Sequence, residues 1–241
     1  KKLEAWPDLP YGRRELLIFR HVAGLRSLTS EKIEEFERFW REENHPFALM
    51  WSAMRSDELA AIDATEATLR GMPDDAEDQL CLGLILAQKS AEGRNEALNV
   101  FRKIQQMDAF ITAKAIANDI PLLLGQPRVA RAASKESLRS DEFQYQRRQI
   151  KDGIQYQAGD LPEEEFIRRA GPFGNYRSGF CYGIAMSALA NGDRSKAKKF
   201  FQATVDTGQI GVWGFHMARI FLQRLEADST WPSWIPLQDG E

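Results

Sequence analysis

Apolar side chains recur three and four positions apart along most of this chain, the repeat of a helix with one face turned to a core. Residues 177–205 show it most clearly. Phe180, Cys181, Ile184, Ala185, Ala188 and Leu189 fall on one stripe, and Ala197, Phe200, Phe201 and Val205 on a second. Asn191-Gly192-Asp193 separates the two as a turn. The pattern predicts two helices folded against each other, with the small Ala185 and Ala197 where they approach most closely. Such a hairpin leaves an apolar face on each side and needs neighbours of its own kind. No segment sustains the period-two alternation of strand residues, so the predicted class is all-α.

The same stripe predicts helices over 12–25 and from Thr29 or Ser30 to His45-Pro46, then over 47–54. Another is capped by Ser56 or Asp57 and stops near Gly71-Met72-Pro73. Helices over 75–89 and 95–107 follow, then 109–124 and 127–138, and 141–158 and 161–169. Pro127 and Pro162 suit first helical turns, where a missing N–H costs nothing. A last helix over 210–227 precedes a tail holding Trp231, Trp234 and two prolines.

These elements repeat. The turn glycines Gly125, Gly159 and Gly192 stand 34 and 33 residues apart. A small residue of the second helix recurs at Ala60, Ala97, Ala130 and Ala197, with Glu164 where the rule breaks. Cys81 and Cys181, Leu84 and Ile184, Ala97 and Ala197, and Phe101 and Phe201 all pair at an offset of 100. A two-helix unit of roughly 34 residues with small residues at the contact and a late Phe resembles the tetratricopeptide repeat. The resemblance rests on Ile184, Ala185, Gly192-Asp193, Ala197 and Phe201; Cys181, Ala188, Thr204 and Gln209 depart from the usual pattern. The closing stretch from Gly192 onward is also similar to repeat tails of some bacterial serine/threonine protein kinases and envelope lipoproteins.

The resemblance implies one elongated α-solenoid: capping helices over 1–40, about five hairpins over 41–211, and a capping helix with its tail over 210–241. It implies a concave face lined by first helices, with Gln79, Leu82 and Lys89 from one unit, Gln146, Gln149 and Tyr156 from another, and Tyr182 and Met186 from the last. Amides and aromatics there suit an extended peptide or a partner helix. The Lys/Asn clamp that some such arrays use for a carboxylate terminus is absent, because its positions hold Leu82, Leu86, Ala115, Asp119, Gln149, Gly153, Tyr182 and Met186. Trp231 and Trp234 are read either as a packed tail or as a second docking patch.

Composition narrows the function. A net charge of −3 and 43% hydrophobic residues fit a sizeable core and argue against a general nucleic-acid binder. No run is long enough to cross a membrane. Cys81 and Cys181 occupy equivalent apolar positions and read as buried free thiols. His21, His45 and His216 lie in separate elements, none at metal-ligand spacing, and no phosphate loop or nucleophile elbow is present. The expectation is a non-enzymatic scaffold with no metal or cofactor, binding a protein or peptide, with self-association left open. The alternative is a regulatory or oligomerisation appendage of a larger bacterial signalling enzyme. The expected compartment is the cytoplasm, or the periplasm or membrane surface if an upstream segment carries the chain there.

Overall fold

The computed structural model describes residue 38 and residues 45–238, apart from 57, 73, 172, 173, 210 and 211. The helices expected over 12–25 and from Thr29 or Ser30 onward lie outside the described residues, and His21 with them. Among the described residues all regular structure is helical. In chain order these are α1 (Pro46–Ser56), α2 (Leu59–Arg70), α3 (Ala76–Ala87), α4 (Ala91–Gln106), α5 (Ile111–Ile116), α6 (Asp119–Leu123) and α7 (Pro127–Arg139). A short 3-10 turn (Asp141–Tyr145) leads to α8 (Arg148–Ala158), α9 (Glu163–Ala170), α10 (Gly174–Ala190), α11 (Arg194–Val205) and α12 (Trp213–Ala227).

Local chemistry sets many of these ends. The Asp75 carboxylate accepts from the N–H groups of Glu77 and Asp78 and starts α3. Ser90 starts α4, four residues earlier than the apolar stripe alone implies, by accepting from Gly93 N–H. Asp193 does the same for α11 through Lys196 N–H at 2.8 Å. Gly159 and Gly192 adopt the left-handed backbone, φ 83° and 85°, that turns one helix into the next.

Two expected helices are each broken in two. The run over 109–124 divides at Ala117-Asn118, because Pro121 has no N–H and its ring crowds the carbonyl four residues back. The run over 141–158 divides at Gln146-Arg147, both in extended conformation. Ser140 caps the 3-10 turn, and Glu142 is held by the Ile111 N–H at 3.3 Å. That long-range bond has no local signature.

Consecutive helices pack together, most extensively α10 with α11 and α3 with α4, then α7 with α8 and α11 with α12. Ala97, Ala130 and Ala197 are buried at these contacts. One continuous core runs from Met50 in α1 through α3, α4, α6, α10 and α11 to Trp231. A smaller one joins Leu161, Phe166, Ala170, Phe180 and Ile184. Both cysteines are buried and free, and burial pushes the Cys81 thiol well above the usual range.

The last helix returns to the first described one. His216 of α12 stacks on Trp51 of α1 at 4.0 Å, Trp213 meets Phe47 edge-on at 4.9 Å, and the Arg224 guanidinium donates to Met54 O at 2.6 Å. The tail then crosses the molecule. Arg194 is buried and donates to the carbonyls of Trp231 (3.2 Å), Pro232 (3.0 Å), Ile235 (2.6 Å) and Pro236 (3.5 Å). Trp234 donates to Leu123 O at 3.0 Å beneath the Arg94 guanidinium.

Candidate functional site

The residues expected on one inner face have separate environments. Gln79, Tyr182 and Met186 are buried, and the latter two belong to the main core. A buried side chain presents no surface to a partner. Lys89 reaches across to α2 and pairs with Asp63 (2.6 Å) and Glu66 (2.5 Å), which lowers the Glu66 pKa. Tyr156 stacks on Phe166 at 4.3 Å and shares Glu163 with Lys196; burial pushes its phenol upward. Gln149 is half-buried against α10, its Nε2 lying where a Cβ on Gly179 would come within 3.0 Å. Trp231 is buried and Trp234 half-buried, so the packed-tail alternative describes both.

Gln146 leads elsewhere. Its side chain bridges the 3-10 turn to α5, accepting from Thr112 Oγ1 at 3.5 Å and donating to Glu142 O. Beside it opens a cleft of about 440 Å³, walled by α4, α5, α7 and the 3-10 turn. Ile111 and Ala133 supply its apolar lining, and Lys114, Glu136, Arg139 and Glu142 its charged rim. Gln105 Nε2 donates to Lys114 O at 2.9 Å and fixes α5 to α4. Two of the cleft's segments also carry the most exposed aromatics described: Phe110, 83% exposed, precedes Ile111, and Tyr145, 81% exposed, ends the 3-10 turn. The apolar pattern alone hides both, because an isolated aromatic on a helical repeat reads as core.

A second cleft, of about 540 Å³, lies at the other end of α7, between Pro127-Arg128-Val129 and the tail residues Ile235, Pro236 and Leu237.

One perturbed carboxylate lies deep inside. Asp119 Oδ2 accepts from Tyr182 Oη at 2.7 Å and from Trp213 Nε1 at 2.8 Å, tying α6 to α10 and α12. Burial pushes its pKa up to about 6 against the pull of these two bonds. Gly214 permits the approach, since a Cβ there would come within 2.8 Å of the Tyr182 ring. Next to it Asn118 Nδ2 donates to Ser134 Oγ and Gln157 Oε1, joining α7 and α8. These buried groups act as ties between helices.

Among the described residues no group of three or more His, Cys, Asp and Glu side chains could hold a metal ion. Nor is any described helix long and apolar enough to cross a membrane. No protein-family model, no curated protein and no solved structure matches the chain.

Proposed function

We propose that this chain is a protein-interaction module of the tetratricopeptide-like helical-repeat class, binding a peptide or a partner helix with no chemistry of its own. The reading is supported by the successive helix pairs, with a small residue buried at the contact in α4, α7 and α11. The observation that carries it is the pair of exposed aromatics on two segments that flank the α5–α7 cleft. Phe110 and Tyr145 leave large apolar rings in water on segments lining one apolar-floored, charge-rimmed cleft. Exposed aromatics around such a floor are the usual anchors of a protein interface. Gln146, expected on the inner face of the repeat, bonds Thr112 of α5 and Glu142 of the cleft wall, so docking centres where α5, α7 and the 3-10 turn meet.

The test is affinity capture from the source lysate, with Phe110→Ala/Tyr145→Ala as parallel bait. Both side chains are exposed, so the variant keeps its circular dichroism and melting temperature. A partner held by the native chain and lost by this variant supports the reading. Identical capture by both baits refutes this site.

A further inference from the structure

The charges of α7 specify the partner more closely. Its buried face is Ala130, Ser134 and Ser137. On the opposite face Arg128, Arg131, Lys135 and Arg139 follow one another at spacings of three, four and four. At 1.5 Å per residue they form a single stripe about 16 Å long. Over Pro127–Arg139 there are four cations and one acid, Glu136.

Several cations elsewhere on the described surface meet acids, while others, such as Lys114, Lys151 and Lys199, stand singly and not in a stripe. Arg70 pairs with Glu66 and Glu96, Lys103 with Asp74, Arg168 and Arg169 with Glu165, and Lys196 with Glu163. On α7 only Arg139 has an ion pair, with Glu136 at 3.4 Å, and both are more than three-quarters exposed. Arg128, Arg131 and Lys135 make none with any described residue. Each consecutive pair along the stripe sets like charges at the spacing that weakens a helix. Arg128 also stands in the first turn, where the helix dipole disfavours a cation. The stripe therefore works against its own helix, which an external acidic partner would reverse.

The stripe runs from one cleft to the other. Arg128 lines the cleft that contains Val129, Ile235 and the half-exposed Leu237. Arg139 lines the cleft that contains Ile111 and Ala133, beside Phe110. We infer that the outer face of α7 and its two end clefts form one docking surface for an acidic helix laid along α7, its carboxylates opposite Arg128, Arg131, Lys135 and Arg139 and an apolar side chain in each cleft. A helix repeats its carboxylates one turn apart, the same interval as the stripe. The inference rests on the reading of the chain as an interaction module and names the chemistry of its partner. A nucleic acid fits less well, because the stripe is one helix wide and the chain as a whole is acidic.

The test uses the full chain and the charge reversal Arg128→Glu/Arg131→Glu/Lys135→Glu, all exposed positions. The probe is a labelled helix-forming peptide, glutamate-rich through three turns with a leucine at each end, followed by fluorescence anisotropy. The same peptide with lysine for glutamate and an oligothymidylate of similar length serve as comparisons. The expected result is binding of the acidic peptide that weakens with salt and falls by at least about tenfold in the reversed variant, with no binding of the lysine peptide. Equal affinity for native and reversed chains, no binding to the native chain, or equal binding of the lysine peptide overturns the inference. An oligothymidylate bound more tightly than the peptide, and lost on reversal, replaces the protein partner with a nucleic acid. Phe110→Ala/Tyr145→Ala separates the two readings. Weakening by that variant but not by charge reversal keeps the cleft and removes the acidic partner. Weakening by reversal alone keeps the stripe and removes the aromatic site.

Discussion

Asp119→Asn makes the cost of the buried carboxylate measurable. In the folded chain the Asp119 pKa is raised from 3.8 to about 6, chiefly by burial. The folded state therefore holds this proton more tightly than the unfolded chain does. Its stabilising effect is complete below about pH 4 and is lost as pH rises through about 6. A shift of roughly two units corresponds to about 3 kcal/mol between those limits. Asparagine removes the titration and retains the geometry, because Tyr182 and Trp213 both donate to one oxygen, Oδ2, which the amide oxygen can replace. The amide N–H₂ then occupies the other oxygen's place, a constant cost at every pH. The assay is urea unfolding of both chains from pH 4 to 8, compared as a difference. Asp78, raised to about 6 by burial and by Asp75, titrates over the same range but is common to both chains and cancels. Native minus variant stability should fall by about 3 kcal/mol between pH 4 and 7.5 and level off above. A difference that stays flat with pH would refute the reasoning, and so would one that rises.

Two further predictions concern the tail and the thiols. Arg194→Ala should leave four tail carbonyls without their donor and lower stability by about 3 kcal/mol. Tail release would show as a red shift of tryptophan emission and as protease cleavage after residue 227; an unchanged melting temperature would count against the strap. Cys81 and Cys181 should resist a disulfide reagent in the folded chain and react together in urea, whereas either thiol reacting at a free-cysteine rate would contradict its burial.

Hairpins built on nearby periodicity were legible. Cys81, Leu84, Ile85, Ala97 and Phe101 mark α3 and α4, and their counterparts 100 residues later mark α10 and α11. Pro121, sitting inside an apolar run, carried a warning of the break before α6. The division at Gln146-Arg147 carried none, because it depends on a bond from Ile111 to Glu142 across 31 residues. The site was less legible for a similar reason. Transferring a repeat's face onto this chain placed Tyr182 and Met186 in solvent, whereas contacts from distant elements bury them; Asp119 lies 63 residues from Tyr182. Arg194 reads as an ordinary first-turn cation until the tail arrives from about 40 residues downstream. The α7 stripe was visible as spacing, but its lack of acidic neighbours needed three dimensions.

The contact of α12 with α1 also constrains how such a chain can change. Open arrays of helical hairpins lengthen by duplicating a unit, since each unit touches only its neighbours. Here an inserted hairpin would draw His216 away from Trp51 and Arg224 from the Met54 carbonyl, so a gain of length between α1 and α12 is felt where the two meet. Exposed positions away from the α7 surface are left to vary, but the number of helices between α1 and α12 is held fixed by the closure.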